Sequence, residues 1–226
     1  MTKMLTAIVE DNHSAVEELL KADTGLATRL IGKAKLYNSE IFHWIYAGDT
    51  ALHLAAAGYR VEIAGLLLAA GADPNAAKNH RSSGPLHYAA DGFITGPAWD
   101  AKKQMETIQL LLSKGANIHL QDKNGATALH RAVRTRCADA VRLLLQAGAD
   151  PTTRNKPGST PFHLAVQNTG RGGTGAAAAV TAQREIIKEF LAFGLSPSLK
   201  CGRGRSVRDS ARSAWIQEML AGTDAG

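Results

Sequence analysis

The sequence predicts an all-α solenoid made of stacked helix-turn-helix repeats with β-hairpin fingers. Three observations support this prediction. A tetrapeptide of the form Thr/Gly-x-Leu/Phe-His recurs four times, a Leu-rich segment with a glycine at its end follows each copy, and only 5% of the residues are aromatic. Recurrence of two motifs in a fixed order is typical of repeat proteins, because one such unit can bury its helices only against its neighbours.

The local chemistry of each unit predicts two helices. The tetrapeptides begin at Thr50, Gly84, Thr127 and Thr160, and their histidines are 34, 43 and 33 residues apart. A threonine at this position can accept a hydrogen bond from a free helical N–H, so it predicts the start of a first helix. A second, Leu-rich helix then ends at a glycine, which suits a left-handed C-cap; these glycines are Gly71, Gly115, Gly148 and Gly194.

In these motifs the chain resembles the ankyrin-repeat family, and in particular bacterial-type ankyrin-repeat proteins with insertions between helices. The match is close over residues 48–165. We therefore expect a single domain over 1–226 with about six units. The N-terminal cap repeat spans 1–30 and is followed by an extended finger at 31–49. The central units are 50–79, 80–122 with an insert, 123–155, and 156–200 with an insert. The C-terminal cap repeat spans 201–226, and Asp209 replaces the histidine in it.

Residues 31–49 depart from the regular repeat. Ile41, His43 and Ile45 alternate there with Phe42, Trp44 and Tyr46, which is the period of a β-strand. We predict an extended hairpin with an aromatic face. Either this face covers the open edge of the first repeats, or it presents an aromatic contact patch.

Two units carry extra residues between their helices. The distance from histidine to glycine is 18 residues in two units but 28 and 31 in the others. The inserts lie at approximately 92–103 and 168–182, and equivalent points in alternate units project from the same edge of a stack. Phe93 and Trp99 give the first insert apolar anchors. They either plug the groove between units or remain available for contact.

The stretch "GRGGTG" at 170–175 fits the spacing G-x-G-x-x-G. A dinucleotide-binding loop of this kind must follow a strand, whereas this one follows a predicted first helix. Two interpretations stay open. The stretch is either a flexible loop, or it holds a small anion at the start of the next helix with the help of Arg171.

No residue pattern predicts catalysis or a metal centre. The resemblance to ankyrin repeats implies a structural role for the four tetrapeptide histidines, in which each imidazole hydrogen-bonds the backbone of a neighbouring unit. These histidines are His53, His87, His130 and His163. Cys137 lies beside Arg134 and Arg136, which could activate a thiol, but it also fits an ordinary, partly buried cysteine. We expect no catalytic residue, no cofactor and no metal.

The charge is unevenly distributed. The net charge is +6, with 10 Lys+Arg against 12 Asp+Glu in residues 1–113 and 16 against 8 in residues 114–226. The basic half suggests an acidic protein partner or nucleic acid. The beginning of the chain has no signal-peptide pattern, and no apolar run has membrane-spanning length, so we expect a cytoplasmic protein with reduced thiols.

The resemblance implies a rigid, non-enzymatic scaffold, a monomer when free, that binds another protein on a concave surface of finger tips and first-helix ends. The corresponding residues are Tyr46, Asp49, His80, Arg81, Asp91, Lys123, Asn124, Arg134, Lys156, Gln167, Arg203 and Arg205. The insert residues Phe93, Trp99 and Arg171 are further candidate contacts. One alternative is nucleic-acid binding through the basic half, and a second is a small anionic ligand at the Gly-rich insert.

Overall fold

A computed structural model describes residues 1–37, 41–92, 99–167 and 176–222. Within these ranges the chain is mainly helical. It groups into two compact units, Met1–Lys123 and Asn124–Gly226, which we call the N-terminal unit and the C-terminal unit. The sequence predicted one continuous domain of about six repeats, and that division stays a prediction.

In the described part of the N-terminal unit there are three helix pairs and a hairpin. Helices α1 (Thr2–Val9) and α2 (His13–Ala22) are followed by a 3-10 turn (Thr24–Ala27) and by strands β1 (Lys35–Tyr37) and β2 (His43–Ile45). The remaining helices are α3 (Ala51–Ala57), α4 (Val61–Ala69), α5 (Pro85–Ala90) and α6 (Ala101–Ser113). All seven residues of α3 are buried, because its alanines allow neighbouring helices to approach closely.

The C-terminal unit continues the pattern. Its helices are α7 (Ala128–Arg134), α8 (Ala138–Gln146), α9 (Pro161–Ala165), α10 (Ala177–Ala192), α11 (Val207–Ser210) and α12 (Ala214–Ala221). The core includes Val141 and Leu144 of α8 and the stacked rings of Phe162 and Phe190, whose centroids are 5.0 Å apart. The predicted glycine C-caps are confirmed, since Gly71, Gly115, Gly148 and Gly194 have φ of +90°, +85°, +92° and +89°.

The predicted hairpin at residues 31–49 is also present. Strands β1 and β2 are antiparallel, with Leu36 opposite Trp44. The hairpin is closed at its base, where the Ile31 N–H donates to the Asp49 carbonyl at 2.7 Å. Among the described residues this is the only two-stranded sheet. The later fingers there are turns, apart from one isolated bridge between Lys200 and Ser206.

The face of the hairpin that turns inward is the isoleucine face. Ile41 and Ile45 are buried, whereas Phe42 and Trp44 are 47% and 48% exposed. Within β2, alternation places Trp44 and Ile45 on opposite faces, so burial of Ile45 leaves Trp44 outside. Phe42 precedes the strand in a left-handed conformation, with φ of +57°. The aromatic face therefore does not cover the edge of the repeats.

Candidate functional site

The recurrent histidines join each first helix to the next finger. The Nδ1 atoms of His53 and His130 accept hydrogen bonds from the backbone N–H groups of Thr50 and Thr127 at 3.0 and 3.2 Å. Nε2 of His53 then lies 3.1 Å from the Ser83 carbonyl oxygen. Because a carbonyl only accepts, Nε2 carries the proton and the ring is neutral.

The same bridge recurs in the C-terminal unit. Nε2 of His130 lies 3.2 Å from the Ser159 carbonyl, and Nε2 of His163 lies 3.1 Å from the Arg205 carbonyl. These bonds fix the finger backbone relative to the preceding first helix. The role of these histidines is thus to position the fingers on which the predicted contact residues lie.

A second recurrent residue, which the sequence analysis overlooked, shapes the finger turns. It lies eight residues before the last three tetrapeptide histidines and is Asn79, Asp122 or Asn155. The Asn79 Oδ1 accepts hydrogen bonds from the N–H groups of Arg81 and Ser83 at 3.0 and 3.1 Å. Such side-chain acceptors stabilise turns, and the fixed spacing was the signal that could have identified them.

In the last finger, Cys201 occupies the equivalent position. Its Sγ accepts from the Arg203 N–H at 3.4 Å, which matches the Asn79–Arg81 contact. Burial opposes ionisation of this thiol, but hydrogen bonds from the backbone of Arg203 and Arg205 and the charge of Arg205 outweigh it, and the pKa of Cys201 is lowered. The thiol therefore takes the structural place of an asparagine.

One predicted contact residue, Asp49, has an internal role. It is fully buried. Its carboxylate accepts hydrogen bonds from the Tyr46 N–H at 2.6 Å, the Asn79 amide at 2.7 Å and the Tyr88 hydroxyl at 2.8 Å. Burial of the Tyr88 hydroxyl and then the Asp49 charge raise the pKa of Tyr88. The expectation that Asp49 contacts a partner is corrected, because no face of its side chain is accessible.

Three predicted contact residues of the N-terminal unit come together in one cluster. The rings of Tyr46 and His80 meet edge to face, with their centroids 4.7 Å apart. Arg81 lies over the Tyr46 ring and donates to its hydroxyl at 3.0 Å. Trp44 is stacked with Tyr46, with a centroid distance of 6.3 Å. We call Trp44, Tyr46, His80 and Arg81 the aromatic cluster.

The remaining predicted residues of the N-terminal unit are separate from this cluster. Asp91 lies at the end of α5, where its carboxylate is 3.6 Å from Nε2 of His43. Lys123 is exposed, and its backbone N–H donates to the Arg81 carbonyl at 2.7 Å. Backbone hydrogen bonds between consecutive fingers thus set the spacing of the side chains at their tips.

In the C-terminal unit consecutive fingers also contact each other through their backbones. The Lys156 N–H donates to the Asn124 carbonyl at 2.8 Å, and the Gly202 N–H donates to the Gly158 carbonyl at 2.7 Å. A Cβ atom added to Gly158 would lie 3.1 Å from the Gly202 Cα. Glycine at both positions therefore permits backbone contact between the last two fingers, beside Arg203.

This contact borders a groove with a volume of about 440 Å³. It brings together the predicted residues Gln167, Arg203 and Arg205 and adds Arg212, which sequence reasoning missed. The other described residues of the lining are Pro157, Ser159, His163, Cys201 and Ser210. We call this site the arginine groove. No carboxylate lies among its described lining residues.

The other predicted residues of the C-terminal unit lie around the arginine groove or in a neighbouring cleft. Lys156 is exposed on the finger next to Pro157, and Asn124 is exposed on the finger before it. Arg134 is exposed at the end of α7 and lines a second cleft of about 180 Å³. Gln167 also lines this cleft, so it contributes to both concavities.

The inserts are only partly described. Phe93 and Arg171, and with them the "GRGGTG" stretch, lie outside the described residues. Trp99 is half-buried and donates from Nε1 to the Gln104 side chain at 2.9 Å. The Gln104 amide donates in turn to the Ala89 carbonyl at 3.0 Å, so Trp99 anchors the end of its insert to α5.

The second insert has a corresponding glutamine. The Gln183 amide lies 2.6 Å from the carbonyl oxygens of both Ala165 and Gln167, at the end of α9. Gln104 and Gln183 are both buried. Each ties the second helix of an insert-bearing repeat to the last carbonyls of its first helix, where helical partners are missing.

Chemistry at the remaining candidate residues is limited by burial. Cys137 is 3% exposed and N-terminal to α8, with its Sγ 3.5 Å from the Thr135 hydroxyl. In the described ranges, His, Cys, Asp and Glu form no group of three or more suited to a metal ion. None of the helices described combines the length and hydropathy required to cross a membrane.

Comparison with known proteins identifies the class of protein. A family model for ankyrin repeats in three copies matches residues 98–200, and one for a single ankyrin repeat matches residues 47–79. A crystal structure of an ankyrin repeat domain from Acinetobacter baumannii is similar, with a TM-score of 0.67 and 22% identity. The similarity covers 97% of this chain and 96% of that one.

The chain belongs to the ankyrin-repeat family. The two family matches together cover more than half of it, and the similar structure has the same fold. Ankyrin repeats are, in general, non-enzymatic modules for protein–protein interaction. The resemblance inferred from the tetrapeptides and the glycine-terminated helices is confirmed.

Proposed function

We propose that this chain is a non-enzymatic, cytoplasmic protein-binding module whose partner presents acidic features to the C-terminal unit. The arginine groove is the observation that carries the proposal. Gln167, Arg203 and Arg205 come from two different repeats, yet they line one concavity with Arg212. Fixed fingers favour binding, because little conformational entropy is lost when the partner docks.

The aromatic cluster supports a second contact area within the N-terminal unit. Trp44 is about half exposed, and Tyr46 is held by both Arg81 and His80. Exposed aromatic residues in fixed positions are typical of the residues that dominate binding energy in interfaces. We propose that this cluster contacts an apolar part of the partner, with Lys123 at the adjacent finger.

A comparison of two charge-reversal variants tests the proposal. The first variant replaces Arg134, Lys156, Arg203 and Arg205 by Glu. The control replaces four exposed lysines of the N-terminal unit by Glu: Lys3, Lys33, Lys78 and Lys114. Both variants change the net charge by the same amount, so a general effect of charge would appear in both.

Each protein would be used as bait in an extract of the native host after thermal melting has shown that it is folded. We expect a specific set of acidic proteins to bind the wild type and the control but not the first variant. The proposal fails if both variants retain the same proteins as the wild type, or if both lose them equally.

A further inference from the structure

We infer that the arginine groove binds a phosphorylated side chain on an extended segment of the partner protein. This inference rests on the proposed function and names the chemical group that the partner presents.

The groove contains charge that is not neutralised within it. Among the described residues, neither Arg203 nor Arg212 forms an ion pair, and Arg205 makes only a 3.5 Å contact with the Ser210 hydroxyl. One carboxylate, Asp209, lies beside Arg205 but outside the lining, where it accepts the Ser206 N–H at 3.0 Å. Asp209 also interacts electrostatically with Arg205. Within the described part of the chain, the guanidinium donors that have no carboxylate partner are therefore those of Arg203 and Arg212.

Two ionisable groups of the lining respond to this positive charge. Burial is the main cause of the lowered pKa of His163, and the charges of Arg154 and Arg205 lower it further. The pKa of Cys201 is also lowered, in spite of its burial, by backbone hydrogen bonds and by Arg205. In both groups the charge of Arg205 acts in the direction expected beside unbalanced positive charge, since it disfavours the imidazolium of His163 and favours the thiolate of Cys201.

The number of donors favours phosphate over carboxylate. A single guanidinium can satisfy both oxygens of a carboxylate in a bidentate pair. A phosphomonoester carries a charge of roughly −1.5 to −2 and three acceptor oxygens, so it can engage several guanidinium groups at once. The Ser210 hydroxyl already donates to the Ser206 carbonyl. The three arginines, the Ser159 hydroxyl and the Gln167 amide remain, and they offer more donors than one carboxylate can use.

Size and composition distinguish a peptide from nucleic acid. A volume of about 440 Å³ is ample for a phosphorylated side chain and part of the neighbouring residues. The described lining contains no Phe, Tyr or Trp on which bases could stack, which proteins that bind single strands commonly provide. The groove therefore fits an anionic side chain better than a nucleobase.

Three pools of short, fluorescently labelled degenerate peptides test the inference by anisotropy. The pools differ only in a central phosphoserine, glutamate or serine. We expect the phosphoserine pool to bind about tenfold or more tightly than the glutamate pool, because glutamate supplies fewer acceptors. Free phosphoserine should bind much more weakly than the phosphoserine pool, since it lacks the neighbouring peptide.

A conservative variant separates recognition of phosphate from attraction by charge. Replacing Arg203, Arg205 and Arg212 by Lys preserves the charge but removes the planar, bidentate donors. We expect affinity for the phosphoserine pool to fall about tenfold. The same replacement at three arginines outside the groove, Arg29, Arg142 and Arg184, should leave affinity unchanged.

Alkylation of the wild type by iodoacetamide shows where the pool binds. Cys201 lines the groove, whereas Cys137 is buried and serves as the internal reference. We expect the phosphoserine pool to slow modification of Cys201 several-fold, and the serine pool to leave the rate unchanged.

Several results would overturn the inference. Equal affinity for the glutamate and phosphoserine pools would leave the acidic partner of the proposed function intact but remove phosphate recognition. An unaffected Arg-to-Lys variant, an unprotected Cys201 or tight binding of free phosphoserine would each reject a guanidinium-lined site for a phosphorylated segment. Binding of random-sequence RNA in place of all three pools would reject it in favour of nucleic acid.

Discussion

Each recurrent histidine must be neutral to perform its role. In His53, Nδ1 accepts from the Thr50 N–H and Nε2 donates to the Ser83 carbonyl. A proton added to Nδ1 would point at an N–H group that already donates, so protonation breaks one of the two bonds. Burial lowers the pKa of His53, and the pKa of His163 is lowered for the same primary reason.

These shifts predict acid sensitivity. Above the usual histidine pKa of about 6.5, His53 and His163 are neutral in both the folded and the unfolded chain, and stability is independent of their titration. Below it, the unfolded chain binds protons that the folded chain does not, so the free energy of unfolding falls as the pH decreases. Urea unfolding between pH 7.5 and pH 5 should show a progressively lower midpoint.

Two variants assign this effect to the buried ring. His53→Ala should cost stability at pH 7.5, and that cost should shrink toward pH 5 because the wild type has lost part of the contribution. His119→Asn serves as the control, since His119 is exposed on a turn, and its pH dependence should match the wild type. A wild-type midpoint that stays constant or rises toward pH 5 would contradict the predicted tautomer.

The residues that accept hydrogen bonds in the finger turns could not be recognised from their residue types alone. Asn79 and Asn155 are polar residues in turns, and they escaped notice because turns are generally polar. Cys201 occupies the same position, but a thiol is usually assessed for its reactivity. Only the backbone geometry shows that its sulfur replaces an asparagine side-chain oxygen as a hydrogen-bond acceptor.

The helices could be predicted from the sequence because each signal is local. The tetrapeptides, the Leu-rich faces and the terminal glycines act within a few residues, and the structure has helices beginning at Ala51, Ala128 and Pro161. Residue burial in the fingers depends on contacts between repeats. Asp49 was therefore taken for a surface residue, although Asn79 and Tyr88 of the next repeat enclose its carboxylate.

The composition of the arginine groove also could not be predicted from the sequence, because it depends on how separate elements pack. Arg203 and Arg205 were predicted from their place on a finger, but Arg212 lies in the segment between α11 and α12, which has no counterpart in the repeat signal. It joins the site because the short α11 brings that segment beside the finger. The charge could be counted from the sequence, whereas its concentration in one concavity required the fold.

Core packing within a repeat predicts the effect of a truncation in α8. Leu144 is fully buried, so Leu144→Ala should reduce the free energy of unfolding by about 2–5 kcal/mol through lost burial and a residual cavity. Arg205 is exposed, and its contribution to the His163 bridge is a backbone carbonyl, so Arg205→Ala should change stability by less than about 0.5 kcal/mol. Similar urea midpoints for the two variants would show that the helix register is wrong.

At the scale of the whole molecule, charge follows the division into two units. The C-terminal unit contains 14 Lys+Arg against 7 Asp+Glu, whereas the N-terminal unit contains 12 against 13. An excess of this size attracts any polyanion at low ionic strength, including nucleic acid. Binding to nucleic acid in dilute buffer is therefore expected even if the biological partner is a protein.

Salt dependence separates these two possibilities. Fluorescently labelled random-sequence DNA should bind the wild type in about 50 mM salt and dissociate by about 200 mM, because neutralising several phosphates releases counterions and makes affinity fall by roughly 10³-fold or more. The Glu variant at Arg134, Lys156, Arg203 and Arg205 should lose this binding, and the variant at four N-terminal lysines should retain most of it. Since a docked protein partner also makes apolar contacts, its affinity should depend less steeply on salt. Sequence-selective binding of nucleic acid that persists at 200 mM salt would instead make nucleic acid the partner of the basic unit.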